Sequence, residues 1–130
     1  MSEQKELIRR YYEQVFNGRE LDAIGDYWAE DRMREAVTRG CLSYFDAFPD
    51  LYISLDELIE EGDRVFVRST FTGTQDGEYK GIAPTGRNVA ADCAEVFRLA
   101  DGKIVGYWCL MNVAGLMRQL TEEPATAVTA

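Results

Sequence analysis

The sequence predicts an α+β fold in which three N-terminal helices pack on a curved, mostly antiparallel sheet. Two observations carry this. Apolar residues recur with a helical period up to Pro49, and strand-like runs separated by turn signals follow it. No alternation of strand and helix appears, so a parallel sheet with crossover helices is excluded.

The first helix is predicted from Leu7, Ile8, Tyr11, Tyr12, Val15 and Phe16, which form one apolar stripe opposite Arg9, Arg10, Glu13 and Gln14, and Asn17-Gly18 ends it. Leu21, Ile24, Tyr27 and Trp28 mark a short second helix. Val37, Cys41, Tyr44, Phe45 and Phe48 recur at helical spacing in a third, closed by Pro49. Strands are expected from Leu51 to Ile59, Val65 to Thr72, Asn88 to Leu99 and Lys103 to Val113, with Glu61-Gly62-Asp63 as the first turn. The Gly- and Pro-containing stretch Gly81 to Arg87 reads as a connection between strands that rims the open end of the sheet. A short helix from Ala114 to Leu120 closes a single domain over 1–120, and 121–130 reads as a disordered tail.

Composition removes whole classes of chemistry. Lys and Arg number 14 against 23 Asp and Glu, giving a net charge of −9, and there is no histidine. So acidic a chain repels phosphate backbones and anionic headgroups, so neither nucleic acid nor membrane is an expected partner. Without histidine there is no Ser-His-Asp triad, Cys-His dyad or imidazole proton shuttle. Cys41, Cys93 and Cys109 have no metal-binding or disulfide-framework spacing and read as reduced, buried thiols. Asp22 with Asp26, and Glu57, Glu60, Glu61 and Asp63, read as solvated faces, and no metal is expected. The first residues lack an apolar signal region, and no apolar run reaches the roughly 20 residues a membrane span needs, so a cytoplasmic protein is expected.

The last hairpin carries the most informative geometry. A two-residue Asp101-Gly102 loop pairs Ala100 with Lys103, whereas a three-residue loop with Gly102 in a bulge pairs Leu99 with Lys103. The second is preferred, because it places Val89, Ala91, Cys93 and Phe97 on one face with Val105, Tyr107, Cys109 and Met111. Glu95 then faces Tyr107, Cys93 faces Cys109, and Glu95 lies diagonal to Cys109 at roughly 7–8 Å. Glu95 is the one carboxylate in this row. Buried without a charged partner, its pKa rises toward neutrality and suits it to general acid/base work; at a hydrated edge or bonded to a tyrosine, it is structural. Tyr107 either packs or donates to a ligand carbonyl or to Glu95. Cys109 has no neighbouring cation to activate it and reads first as an inert thiol. Arg68, Thr70 and Thr72 share a face that reads as solvated.

The ordered set Arg10-Tyr11-Tyr12, Phe16-Asn17-Gly18, Ala47-Phe48-Pro49-Asp50-Leu51, Glu60 to Val65, Phe71-Thr72-Gly73-Thr74, Gly81 to Arg87, Phe97-Arg98, Asp101 to Ile104, Trp108 and Gly115 to Leu120 resembles the SnoaL-like polyketide cyclases of the nuclear transport factor 2-like superfamily. The resemblance implies a cone of curved sheet wrapped against helices around an apolar pocket. It implies ring closure on an aromatic polyketide or similar polycyclic intermediate by acid/base catalysis, without metal or cofactor. The family's acid/base histidine and aspartate fall on Glu95 and Cys109, and a further aspartate falls on Asn112. A loop that carries His and Asp between the second and third helices is shortened at Ala29 to Met33. Glu95, Cys109 and Tyr107 are thus the candidate catalytic residues, and Trp28, Tyr44, Phe48, Cys93, Met111 and Asn112 the candidate ligand contacts. Two other readings stand beside ring closure: a cofactor-free oxygenation or epoxide opening on the same fold, and a non-catalytic binding protein that lost the acid/base pair. Relatives often dimerise through the outer sheet face, where Trp108 and Leu110 are expected, so a homodimer is anticipated.

Overall fold

The computed structural model describes residues 2–122. Helix α1 (Glu3–Tyr11) is capped by the Ser2 hydroxyl, which accepts from the Lys5 N–H, and it runs directly into a π-helical turn, Tyr12–Asn17. A 3-10 turn (Leu21–Ala23) leads into α2 (Ile24–Tyr27), and α3 spans Asp31–Ala47. Four antiparallel strands follow in chain order, β1 (Tyr52–Glu61), β2 (Arg64–Thr74), β3 (Asn88–Ala100) and β4 (Lys103–Met111), and α4 (Val113–Thr121) closes the chain's described part. Thr121, expected in the tail, is the last residue of α4, and Glu122 caps it; residues 123–130 lie outside the described residues.

The junction after the first helix explains why Asn17-Gly18 ends it. The Asn17 side chain both donates to the Ile53 carbonyl and accepts from the Ile53 N–H, at 2.9 and 2.8 Å, mimicking a strand partner for the start of β1. Arg19, at φ 61°, turns back so that its guanidinium donates to the carbonyls of Pro49 and Leu51 and lies 4.3 Å over the Phe45 ring. The helical layer is thereby pinned to the edge where the sheet begins.

Alternation in β2 and β3 sends Val65, Val67, Phe71, Val89, Ala91, Phe97 and Leu99 inward, all buried. One part of the core gathers Ile8, Tyr11, Tyr12, Val15, Trp28, Val65, Val67 and Phe97; a second gathers Phe48, Leu51, Phe71, Tyr79, Leu116 and Leu120. The outward residues of β2 are solvated as expected: Arg68 pairs with Asp56 and Glu57 at 3.8 and 3.5 Å, worth little at such exposure. The 75–87 connection is held by Gln75, whose buried amide donates to the Ile82 carbonyl and accepts from Thr85.

The β3–β4 hairpin corrects the expected register. Its loop has two residues, Asp101 and Gly102, at φ 50° and 75°, and Ala100 pairs with Lys103. A bulge then inserts Val105, since Leu99 pairs with Ile104 but Arg98 pairs with Gly106. The extra residue restores the inward row, so Tyr107, Cys109 and Met111 share a face with Cys93, Glu95 and Phe97, as expected. The partners shift by one step. Glu95 faces Cys109 rather than Tyr107, Phe97 faces Tyr107, and Cys93 faces Met111 rather than Cys109.

Candidate functional site

The inward row that begins in the dry core does not end there. On β2 and β3 it is covered by helices, but on β4 Tyr107 and Cys109 are exposed although they point to the same side. The inward row is therefore uncovered at these two positions of β4. Glu95, partly buried, stands where covered and open surfaces meet.

Tyr12, the first residue of the π-helical turn, donates its hydroxyl to Glu95 Oε1. Burial raises the Glu95 pKa above the ordinary carboxylate value, while the hydroxyls of Tyr12 and Tyr107 pull it back down. Desolvation is the larger effect, as expected for a carboxyl with hydroxyl but no cationic partners. Burial and the nearby carboxylate also push Tyr12 and Tyr107 up, so both remain protonated donors. Glu95, held above the ordinary carboxylate range beside two protonated hydroxyls, is a group that can exchange a proton.

Neither thiol is ionised by its surroundings. Burial and Glu95 raise the pKa of Cys109, and Cys93 is pushed up to about 12, so both are neutral thiols at pH 7. Cys109, the strand partner of Glu95, is thus an uncharged neighbour of that carboxyl. Cys41 is buried and pushed up to about 12 as well. The expectation of three buried thiols is corrected at Cys109, which is exposed because the helices that cover β2 and β3 leave this position of β4 open.

The remaining candidates divide. Trp28 leaves α2 as an extended residue bridged to Ile104, and its buried indole packs 5.5 Å from the Tyr107 ring. Tyr44 is partly buried and donates to the Met111 sulfur at 3.7 Å, beside Cys93. Phe48 is not a cleft residue. It is fully buried, 5.1 and 5.3 Å from the rings of Phe71 and Tyr79, and lies against Gly73, where a Cβ would stand 3.0 Å away. The Asn112 side chain accepts from the Gly115 N–H and caps α4. Cys93, Met111 and Asn112 also border an open depression of about 590 Å³ at the start of α4.

Sequence reasoning placed Tyr12 in the apolar stripe and missed its role, because its partner lies 83 residues away. Among the described residues no cluster of three or more His, Cys, Asp or Glu could hold a metal, and no helix is long and apolar enough to cross a membrane.

The family model of SnoaL-like polyketide cyclases matches residues 6–120. No curated protein matches the chain. Among solved structures, AclR from Streptomyces galilaeus, a candidate hydroxylase, superposes with TM-score 0.81 at 28% identity, over 98% of this chain and 86% of its own. TsrD from Streptomyces laurentii gives 0.76 at 27% identity, over 93% and 98%. A SnoaL-like candidate polyketide cyclase from Jannaschia sp. CCS1 gives 0.82 at 22% identity, over 93% of each chain; at that identity it speaks for the fold alone.

Proposed function

Because the chain belongs to the SnoaL-like polyketide cyclase family, we propose that it is an enzyme that binds a polycyclic or polyketide-derived ring compound in the β4 cleft and transforms it by acid/base chemistry at Glu95. One observation carries the reading: a partly buried carboxyl with raised pKa, held by the Tyr12 hydroxyl, borders the uncovered positions of β4. Ionised Glu95 takes a proton from a carbon beside a ketone. The enolate carbon attacks a second carbonyl of the same molecule, and protonated Glu95 returns the proton to the new alkoxide. Protonated Tyr107, at the mouth, donates to the ligand oxygen on which charge develops. Cys109 remains a neutral wall of the entry.

AclR, a candidate hydroxylase matched over nearly the whole chain, supports hydroxylation as a second reading. The same first step serves it, since a carbanion made by Glu95 at a ring CH2 adds O2 to give a hydroperoxide, and loss of water from that leaves a new carbonyl, the keto form of a ring hydroxyl, with no external reductant.

The test is conversion of aromatic polyketide-like ketones followed by mass spectrometry, under air and under nitrogen. Glu95→Gln is expected to lower turnover by about 10²- to 10⁴-fold, the usual worth of a positioned acid/base. Full turnover by Glu95→Gln rejects the role, and a product that requires air selects hydroxylation. Binding of such ligands by wild type with no conversion favours a binding protein.

Tyr52, Ile59, Trp108 and Leu110 are large apolar residues exposed on the sheet, and they support a homodimer through this outer face. Light scattering checks it against the 14.7 kDa chain mass.

A further inference from the structure

Tyr12 reaches Glu95 through a change of helix type. Helix α1 ends at Tyr11, and Tyr12–Asn17 continue it as a π-helical turn, in which a carbonyl accepts from the residue five places on rather than four. Both ends of that turn touch the sheet. Tyr12 donates its hydroxyl to Glu95 Oε1 on β3, and Asn17 pairs with the Ile53 backbone on β1. At about 100° per residue, an α-helix sets two residues five apart roughly 140° from each other. A π-turn of roughly 4.4 residues steps about 82°, which leaves them about 50° apart. The wider turn therefore lets one short segment hold both contacts.

The two hydroxyls that lower the Glu95 pKa have unlike surroundings. Tyr12 is 1% exposed, and the rings of Tyr11, Phe16 and Phe97 enclose it at 5.6, 5.5 and 6.1 Å. A ring packed in this way keeps one rotamer, so its hydroxyl stays on the carboxyl. Tyr107 is half exposed and is free to turn to another acceptor. The remaining titratable groups around Glu95 are Tyr11 from α1, Cys93 on β3 and Cys109 on β4, and among the described residues none that shifts it is a cation. Burial favours the protonated acid, and hydroxyl donation is what favours the carboxylate.

We propose that Tyr12 is the positioning residue of the site: its fixed hydroxyl holds the Glu95 carboxyl in one orientation and offsets its burial, so that an ionised form remains available as a base. The inference rests on the acid/base reading of Glu95 given above and adds the residue that regulates it. The two tyrosines then divide the work. Tyr107 can leave the carboxyl for a ligand oxygen, because Tyr12 goes on holding it. The π-turn is the part of the backbone that makes this permanent, since the same segment is anchored at its other end by Asn17.

The experiment is a carbon-13 NMR titration of the Glu95 carboxyl, with glutamate labelled at Cδ and the signal assigned by its absence from Glu95→Gln. Tyr12→Phe keeps the ring and removes the hydroxyl. It is expected to raise the proton affinity of Glu95 about tenfold, the effect of one hydrogen bond to a charged group. Where Glu95 is the base, the acidic limb of the pH–rate profile moves upward with it. A merely structural hydroxyl would lower the melting temperature and leave the titration where it is; that result, or a lowered proton affinity, overturns the proposal. Should Tyr12→Phe not fold, wild type decides: with tyrosine labelled at Cζ, the Tyr12 signal is expected to follow the Glu95 titration, and a signal that stays flat overturns the proposal. Turnover of aromatic ketones by Glu95→Gln separates the two readings. A titration moved by Tyr12→Phe, with full turnover in Glu95→Gln, upholds Tyr12 as the holder of the carboxyl and rejects the acid/base. An unmoved titration with turnover lost in Glu95→Gln rejects the positioning role alone.

Discussion

Phe97 and Tyr107 are strand partners on the same face of the sheet, yet Phe97 is 0% exposed and Tyr107 45%. The sequence treats them alike, as aromatic residues of one inward row. What separates them is cover. The rings of Tyr11 and Tyr12 meet Phe97 edge-on at 6.0 and 6.1 Å, while Tyr107 has Trp28 on one side and solvent on the other. Glu95 sits next to this boundary, with buried Val67 as its partner on β2 and exposed Cys109 as its partner on β4. A carboxyl deeper in the core would be out of a ligand's reach, and one fully in water would keep its ordinary pKa. The boundary supplies both perturbation and access.

The comparison breaks most readily at its two aromatic residues. Phe97→Ala is expected to cost about 3–5 kcal/mol by leaving a cavity in packed core, and Tyr107→Ala about 1 kcal/mol, typical of a less buried site. Urea unfolding measures both; equal costs would mean that the helical layer reaches β4 after all.

A smaller effect sharpens the picture of Glu95. Its folded pKa is raised, so the native state binds its proton more tightly than the unfolded chain does. That contribution is complete below the unfolded value of about 4.3 and is lost as pH rises through the raised folded value. Glu95→Gln is therefore expected to gain on wild type in melting temperature as pH increases from 4 to 8. A gap that moves the other way would show Tyr12 and Tyr107 outweighing burial and holding the carboxyl ionised.

The smallest effect concerns Asn112. Asn112→Ala should cost about 1 kcal/mol through the lost cap of α4 and leave ligand affinity unchanged, as read by thermal melts with and without a naphthol probe. Weakened binding would return Asn112 to the ligand contacts.

These contrasts also show where sequence reading succeeds. The helices and strands were legible because their periods, 3.6 and 2, differ. The inward row of Cys93, Glu95, Tyr107, Cys109 and Met111 was legible because alternation survives any register that keeps the faces. The pairing within the row was not. A three-residue loop and a two-residue loop followed by a bulge yield the same alternation, and side-chain chemistry does not distinguish them. Asn112 carried a readable cue that resemblance obscured: an Asn between a strand and a helix is a cap before it is anything else. Tyr12 required the tertiary fold outright, since nothing local links it to Glu95.

Val105 carries no chemistry, yet its presence decides which chemistry the cleft contains. With period-two alternation, removing this one residue would exchange the faces of everything after it on β4. Trp108 and Leu110 would turn in toward the carboxyl, and Tyr107, Cys109 and Met111 would turn out to solvent. The wall of the site is thus encoded by a count of residues between Gly102 and Tyr107. An insertion or deletion there exchanges the two faces of β4 in one step, without altering a single side chain on either.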